Sequence, residues 1–341
     1  MTPEVFVGLQ LRKQRESRPR KGSADRGWCH RGVDTSPRRI PGCNLSGMGR
    51  RYDTISFLTD YGTVDEFVGV VKSVIREIAP HATVIDLTHE VPPFDIRAGS
   101  LTLARTVAYL ASGVVLAVVD PGVGTDRRCV AIEVADGEGV MVGPDNGLLA
   151  PAVAMAGGAG RAVVLSNTEY HLEAPGATFA GRDILAPVAA HLCNGVDLYE
   201  LGDPIDADLL LPGVVPLPRE EGGAIVGEVL WVDHFGNCQL NVGPDEVAHF
   251  GDVVKITVGE LTGTPNTRVA KRADTFFDLG AGALGLVLDS YGMLALCLDR
   301  RSAAQELCIG PSDQVVLEPV SDDGGSAGGA VSVPVNLRID R

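Results

Sequence analysis

The chain lacks any apolar run long enough to span a membrane. Its strongest candidate, residues 107–119, is short and is closed by Asp120 and Pro121. A membrane helix needs about 20 predominantly apolar residues. We therefore expect no membrane span.

Basic residues are scarce after position 50. The first 50 residues hold 11 Lys and Arg against 4 Asp and Glu, whereas the other 291 hold 18 against 40. Such an acidic surface repels phosphate backbones. We expect a small-molecule partner and no nucleic acid.

Cysteine is sparse, odd in number and scattered, and several of the thiols lie in apolar runs. This usage is typical of buried thiols in a reducing compartment and predicts a cytoplasmic protein. Zinc sites need four ligands at short spacing, so Cys29, His30 and Cys43 are too few, and we expect no metal. The cysteines are Cys29, Cys43, Cys129, Cys193, Cys238, Cys297 and Cys308.

Several common catalytic motifs are also missing. The sequence has no Walker A loop, no G-x-S-x-G elbow and no H-E-x-x-H pair. Gly122 and Gly124 begin a dinucleotide fingerprint, but Arg127 stands where its third glycine is required. A methyltransferase with a Gly-rich cofactor loop after its first strand is disfavoured, because FLTDYGTVDEF has only one glycine.

What is present is a globular composition, with 45% apolar and 21% charged residues in 341, which suggests two domains. Residues 1–50 show no strand or helix period and are predicted to be a disordered basic extension. They could be a targeting peptide or a nucleic-acid arm, but they lack the apolar segment of a secretory signal. Because Met48 stands just before the first strand-like run, it is the expected working start.

Residues 52–212 are predicted to form an α/β domain with a mostly parallel sheet, because apolar β-rich runs alternate with helical ones. The expected strands are 53–59, 83–88, 114–119, 129–134, 139–143 and 161–165. The expected helices are 65–79, 95–111, 148–155 and 182–193.

A Pro-rich segment, residues 202–223, breaks this pattern and marks the domain boundary. Residues 222–318 are predicted to form a smaller all-β, barrel-like domain, and 319–341 a flexible tail. The expected strands of this all-β domain are 224–232, 237–241, 253–258, 284–289 and 293–298.

Two aspartates follow predicted strands of the first domain, where the ligand crevice of a parallel sheet lies. Asp60 could hold a ribose diol, or it could serve as a turn or N-cap residue. Asp120 could be a site residue, or it could brace its loop in an ion pair with Arg127 or Arg128. Residues 143–149 (GPDNGLL) are more typical of a structural turn.

Two further motifs combine polar and aromatic residues, TFAGRD (178–183) and VDHFGNCQLN (232–241). Several phenylalanines stand beside polar loop residues, where a ring could stack on a purine, although a core role is commoner. These are Phe94, Phe179, Phe235 and Phe276.

Taken in order, TDYGTVDEFVG, THEVPPFDI, VVDPGVGTDRR, VGPDNGLL, TFAGRD and VDHFGN resemble the SAM hydroxide adenosyltransferase family. These are the SAM hydrolases, related to the fluorinase and chlorinase. The resemblance covers residues 53 to 318. It implies an N-terminal α/β domain, a C-terminal β-barrel-like domain, and a homotrimer with active sites between subunits. It also implies that water attacks C5′ of SAM, giving adenosine and L-methionine without a cofactor.

The resemblance also implies roles for particular residues. Asp120 and Arg127 match two members of an Asp-Arg-His group that handles the water, and spacing favours Arg127 over Arg128. The other matched positions would bind substrate: the ribose at Asp60 and Phe94, the purine at Phe179, Phe235, Asn237 and Phe276, and the methionine at Asp233 and Ser290. Gly181 is compatible with a hydrolase or a halogenase.

The departure from the family pattern is Ala180, where T-F-H-G-R-D has His. Losing a true general base typically costs about 10² to 10⁴ in rate, but a second water could fill the space. His171 and His191 are the nearest alternatives in sequence, and we expect neither to substitute.

Three hypotheses for the function therefore remain. The leading one is a SAM hydrolase, because a carboxylate at Asp120 would repel a halide. The second is a halogenase-like transfer of another nucleophile, which the missing His favours. The third is a SAM- or adenosine-binding protein that has lost turnover.

Overall fold

The computed structural model describes residues 49–259 and 265–320. The chain divides between Val215 and Pro216 into two compact units, called unit 1 and unit 2. Only Gly49 and Arg50 of the predicted basic extension, and residues 319–320 of the predicted tail, lie within the described residues.

Unit 1 is built on a seven-stranded sheet in the order β2-β1-β3-β5-β4-β6-β7. β1 pairs in parallel with β2 and β3, and β3 pairs in parallel with β5, whereas β4, β6 and β7 are antiparallel to their neighbours. The strands are β1 (Thr54–Thr59), β2 (Thr83–Thr88), β3 (Gly113–Val118), β4 (Cys129–Val134), β5 (Gly139–Pro144), β6 (Ala159–Val164) and β7 (Asp203–Pro204).

Helices cover both faces of this sheet. Every residue of β3 is buried, as expected of a parallel strand packed on two sides. In α1, Val71 and Ile75 lie on one face and are buried, because residues four apart share a helix face. The helices are α1 (Phe67–Ile78), α2 (Ile96–Thr106), α3 (Ala150–Met155) and α4 (Ala186–Cys193), with a π-helical turn at Gly181–Leu185 that leads into α4.

The register of β1 and β3 positions the candidate site. Thr59, the last residue of β1, lies opposite Val118, the last residue of β3. The loops that carry Tyr61 and Asp120 therefore leave the sheet side by side. Tyr61 packs against the core cluster that contains Phe57 and Leu116.

Unit 2 is a closed β-barrel. Its sheet runs β10-β14-β13-β12-β11-β15-β9-β8, and a further pairing of β9 with β10 closes seven strands and leaves β8 at the edge. This confirms the predicted fold class. The elements are β8 (Arg219–Glu221), β9 (Ala224–Val232), β10 (Cys238–Leu240), β11 (Val253–Val258), β12 (Asn266–Ala273), β13 (Leu284–Leu288), β14 (Leu294–Leu298), α5 (Ala303–Leu307) and β15 (Gln314–Pro319).

The structure adds two longer strands that the sequence pattern did not predict, β12 and β15. β12 reads NTRVAKRA, and Ala270 is the only residue in it that is buried. It therefore lacks the alternation that reveals a half-buried strand. In the described part of the chain, no helix has the length and apolar character needed to cross a membrane.

Candidate active site

The loop that follows β3 holds an almost buried ion pair. The Arg127 guanidinium donates to Asp120 Oδ2, and the side chains are 11% and 5% exposed. Asp120 Oδ1 accepts a 3.2 Å bond from the Gly122 N–H. Thr125 tightens the loop by donating to the Gly122 carbonyl at 2.7 Å. The carboxylate is thus held by two different partners at the carboxyl end of a central strand.

Burial makes this carboxylate reluctant to ionise. Desolvation raises the pKa of Asp120 above its ordinary value, although the charge of Arg127 and the Gly122 N–H oppose the rise. A carboxylate with a raised pKa accepts a proton more readily near neutral pH than an exposed one does. Such perturbed groups in a crevice are candidates for acid–base chemistry.

The two neighbouring arginines have different partners. Arg127 also donates to the Arg128 carbonyl at 2.7 Å and to Cys129 Sγ at 3.3 Å. Arg128 instead pairs with Asp145 and donates to the Leu209 carbonyl at 2.8 Å. The structure therefore places Arg127 beside Asp120. Arg128 therefore links Asp145, in the GPDNGLL turn, to Leu209 near the end of unit 1. This is the structural role that we expected of that turn.

Asp60 follows β1 and binds the loop that follows β2. Its Oδ2 accepts a 2.9 Å bond from the Phe94 N–H. Phe94 has a φ of 69°, and its ring is 72% exposed. Asp60 does not cap α1, because the N-cap residue there is Glu66.

Further bonds join these two loops. Thr59 Oγ1 lies 2.9 Å from His89 Nδ1, and His89 Nε2 lies 3.1 Å from Asp86 Oδ1. The Gly62 N–H donates to the His89 carbonyl at 2.7 Å. The peptide that carries Asp60 is thus held by a buried imidazole. The sequence analysis missed His89, although its place just after β2 was a usable signal.

Tyr61 is a second residue that the sequence analysis missed. Its ring centroid lies 5.7 Å from those of Phe67 and Phe179, which pack edge to face against each other at 5.1 Å. Burial raises the pKa of the phenol, and the nearby carboxylates of Asp60 and Asp120 raise it further. The hydroxyl therefore stays protonated at neutral pH.

The TFAGRD motif packs around Tyr61. Ala180 and Gly181 are both buried, and a Cβ on residue 181 would collide with Tyr61 Oη. Gly181 opens the π-helical turn, a feature that occurs often at functional sites. Arg182 lies over the Phe179 ring at 5.0 Å and donates to Asp183 Oδ1 at 2.5 Å.

A cavity of about 610 Å³ in unit 1 is lined by Arg127, Ala180 and His171, among other residues. The structure therefore places His171 on the wall of the same cavity as Arg127 and Ala180. Burial lowers the pKa of His171, and its Nε2 has no hydrogen-bond partner within the described residues. His191 is in α4 and packs against Tyr170 at 5.0 Å.

In unit 2, the VDHFGN turn is held by Asp233. Its Oδ1 accepts bonds from the backbone N–H groups of Phe235 at 2.9 Å and Asn237 at 2.8 Å. The Asn237 side-chain nitrogen donates to Asp233 Oδ2 at 2.8 Å. The amide of Asn237 therefore has a fixed orientation. Phe235 is 75% exposed.

The other two predicted residues of unit 2 lie in separate turns. Phe276 is 48% exposed and starts a short 3₁₀ turn, Phe276–Leu279. Ser290 lies in the turn between β13 and β14. Because Cys238 pairs with Leu296, Asn237 lies towards the carboxyl end of β14 and Ser290 near its amino end. The Gln239 side chain of β10 nevertheless donates to Asp289, the residue just before Ser290.

Within residues 49–259 and 265–320, no three His, Cys, Asp or Glu residues are grouped as ligands for a metal ion. The polar groups at the ends of β1 and β3 are instead carboxylates, one guanidinium and one phenol. They can bind and orient a polar or cationic ligand.

Comparison with known proteins gives matches along both units. The N-terminal domain of SAM hydroxide adenosyltransferase matches residues 55–202, and its C-terminal domain matches residues 227–316. A Salinispora tropica protein named (R)-S-adenosyl-L-methionine hydrolase is 43% identical over 261 residues, which cover 76% of this chain and 96% of that protein.

Two other matches are informative. The crystal structure of an uncharacterized conserved protein from Thermotoga maritima has a TM-score of 0.71 and 36% identity, with 77% of this chain and 99% of that chain covered. A fluorinase from an Actinoplanes species is more distant, at 28% identity over 276 residues, or 71% of this chain and 89% of that protein.

Proposed function

The chain belongs to the SAM hydroxide adenosyltransferase family, and from this membership we propose that it is a hydrolase of S-adenosyl-L-methionine. Water attacks C5′ of the adenosyl group, the C5′–S bond breaks, and adenosine, L-methionine and one proton are released. The named hydrolase relative is far more similar to this chain than the fluorinase is.

The observation that carries the proposal is the buried Asp120–Arg127 pair at the end of β3. A carboxylate with a raised pKa can accept the proton that the attacking water loses. Arg127 holds Oδ2 and the Gly122 N–H holds Oδ1, and a carboxylate oxygen has a second lone pair that can accept from the water. Positioning the water in line with the C–S bond supplies much of the rate.

The leaving group explains why no cofactor is proposed. A sulfonium departs as a neutral thioether, because it already carries the positive charge that an acid would otherwise provide. The reaction is also redox-neutral. The protein has to desolvate and orient one water, and neither a metal nor a redox cofactor is required by this chemistry.

The remaining site residues are proposed to bind the substrate. Asp60 can accept from ribose hydroxyls, since the Phe94 N–H already orients its carboxylate. Asn237 donates to Asp233, which leaves its amide oxygen to accept from a purine amine. Phe179 and Phe235 offer aromatic faces for stacking.

Two finer proposals follow from the family. We propose a homotrimer, and the exposed rings of Phe94 and Phe235 support it, since a neighbouring copy could cover them. We also propose a cytoplasmic location. Within the described residues all five cysteines are free thiols, as is usual in a reducing compartment.

The test is to incubate the full chain with SAM in ¹⁸O-labelled water and to identify products by mass spectrometry. The expected product is adenosine labelled at the 5′ oxygen, together with methionine. Asp120→Asn is the control variant because it keeps the shape of the side chain and removes its charge. Both sulfonium epimers are tested, since the hydrolase relative is named for the (R) form.

Parallel reactions with added chloride or fluoride distinguish the hydrolase from a halogenase and from a binding protein. A 5′-halogenated adenosine formed in chloride or fluoride would favour the halogenase reading, which Ala180 and the fluorinase relative support. Tight SAM binding with no product from the wild type would show a binding protein.

A further inference from the structure

The hydroxyl of Tyr61 lies at the carboxyl end of the sheet in unit 1. Tyr61 follows β1 and Asp120 follows β3, and these two strands pair in parallel as far as Thr59 and Val118. The carboxylate of Asp120 is close enough to act electrostatically on the phenol. Its Oη fills the space beside Gly181, where any Cβ would collide with it. The adjacent Ala180 carries only a methyl group, which cannot form a hydrogen bond.

The ring that carries this hydroxyl is held on several sides. Phe67 and Phe179 both contact it, and the Tyr61 N–H donates to Thr59 Oγ1 at 3.1 Å. Thr59 is in turn bonded to the buried His89. A side chain held by packing and by a bonded backbone can keep a polar atom in one place.

We propose that Tyr61 is a further catalytic residue of this site, whose hydroxyl accepts a hydrogen bond from the attacking water while Asp120 takes the proton. The inference rests on the proposed hydrolase function. One water O–H bond breaks, the O–C5′ bond forms, the C5′–S bond breaks, and the proton goes to the carboxylate. The phenol keeps its own proton, so its role is to direct the water towards C5′.

The substitution Tyr61→Phe tests this role, because it removes the hydroxyl and keeps the ring between Phe67 and Phe179. Misplaced reactants cost about 10- to 100-fold in rate, so we expect kcat for SAM to fall by that factor with KM changed by less than about threefold. In an Asp120→Asn background, Tyr61→Phe should cause no further loss, since both groups act on one water.

Tyr52→Phe is the matched control. Tyr52 is buried, and its hydroxyl donates to the Gly137 carbonyl at 3.0 Å, at the opposite end of the same sheet. It should leave kcat unchanged. Gly181→Ala is a second variant, which displaces the Tyr61 hydroxyl without removing it. It should lower kcat, and the double variant Tyr61→Phe/Gly181→Ala should turn over as Tyr61→Phe does.

The outcomes separate the two proposals. If the wild type forms adenosine and Tyr61→Phe has the same kcat, the role of Tyr61 is wrong and the hydrolase function stands. If Tyr52→Phe lowers kcat as much as Tyr61→Phe, the effect is structural and the role is also overturned. If the wild type forms no adenosine, the proposed function fails, and the role of Tyr61 fails with it.

Discussion

The two ends of the sheet in unit 1 carry similar residues that differ in burial and in the pKa of their carboxylates. At the amino end of the parallel strands, Tyr52 donates to a backbone carbonyl, and Arg161 bridges Glu133 and Asp197 at 2.7 and 3.0 Å. At the carboxyl end, Tyr61 packs beside Gly181, and Arg127 pairs with Asp120. Each end therefore has a tyrosine, buried at Tyr52 and partly buried at Tyr61, and an arginine bound to a carboxylate.

The difference lies in burial and in its effect on the carboxylates. Arg161 is 36% exposed in its ion pairs, whereas Arg127 is 11% exposed. Although desolvation raises the pKa of Asp197, the Tyr199 N–H and Arg161 outweigh it, and the net pKa is lowered. At Asp120, desolvation outweighs Arg127 and the pKa is raised. The amino end thus holds a partly exposed ion-pair network, and the carboxyl end holds the carboxylate that we propose for proton transfer.

The largest effect that we expect on stability comes from Arg127→Met. Removing one partner of a buried ion pair leaves the other charge uncompensated, which costs about 3–5 kcal/mol. Thermal or denaturant unfolding measures the loss. Adding Asp120→Asn should restore part of the stability, because it removes the unpaired charge. A loss of less than about 1 kcal/mol would show that the pair is as solvated as the one at the amino end.

A smaller loss is expected from Gly181→Ala. Its new Cβ collides with Tyr61 Oη, and overpacking typically costs about 1–3 kcal/mol. Tyr61→Phe should recover most of this loss, because it removes the colliding atom. The melting temperatures of the two single variants and the double variant measure the coupling. Strictly additive losses would contradict the close approach of the two residues.

The two ends of the sheet should also respond to acid at different pH values. A raised pKa means that Asp120 becomes protonated as the pH falls while ordinary aspartates are still ionised, so kcat should fall first with the fold intact. The pKa of Asp197 is instead lowered in the folded protein. Its ion pair therefore stabilises the fold fully above the unfolded pKa of about 4, and this stabilisation is lost only as the pH falls further. Paired activity and unfolding profiles test this order, and simultaneous loss would contradict it.

The smallest effect is expected from Arg161→Met. Partly exposed ion pairs contribute about 0.2–1 kcal/mol each, so the free energy of unfolding should fall by about 1 kcal/mol and kcat should not change. Arg161→Lys is the matched control, since it keeps the charge. A fall in kcat for Arg161→Met would show that the two ends of the sheet are coupled.

The sequence predicted the elements that have clear apolar patterns. β3 and β4 are nearly continuous apolar runs, and their predicted bounds agree with the structure to within about a residue. β12 escaped prediction because its side chains are mostly exposed. At the site, the motifs identified Asp120 and Arg127, but Tyr61 and His89 escaped because their neighbours come from distant parts of the chain.

By itself, the sequence determined the family, the α/β and β-barrel fold class, and the residue types at the strand ends, because these depend on local periodicity and motif order. Spacing in the family motif favoured Arg127 over Arg128, and in the structure Arg127 binds Asp120 while Arg128 binds Asp145. Tertiary structure alone decided that the Tyr61 hydroxyl fills the space beside Gly181, which lies 120 residues further along the chain. Packing between such distant segments sets the direction of each side chain, and no local pattern encodes it.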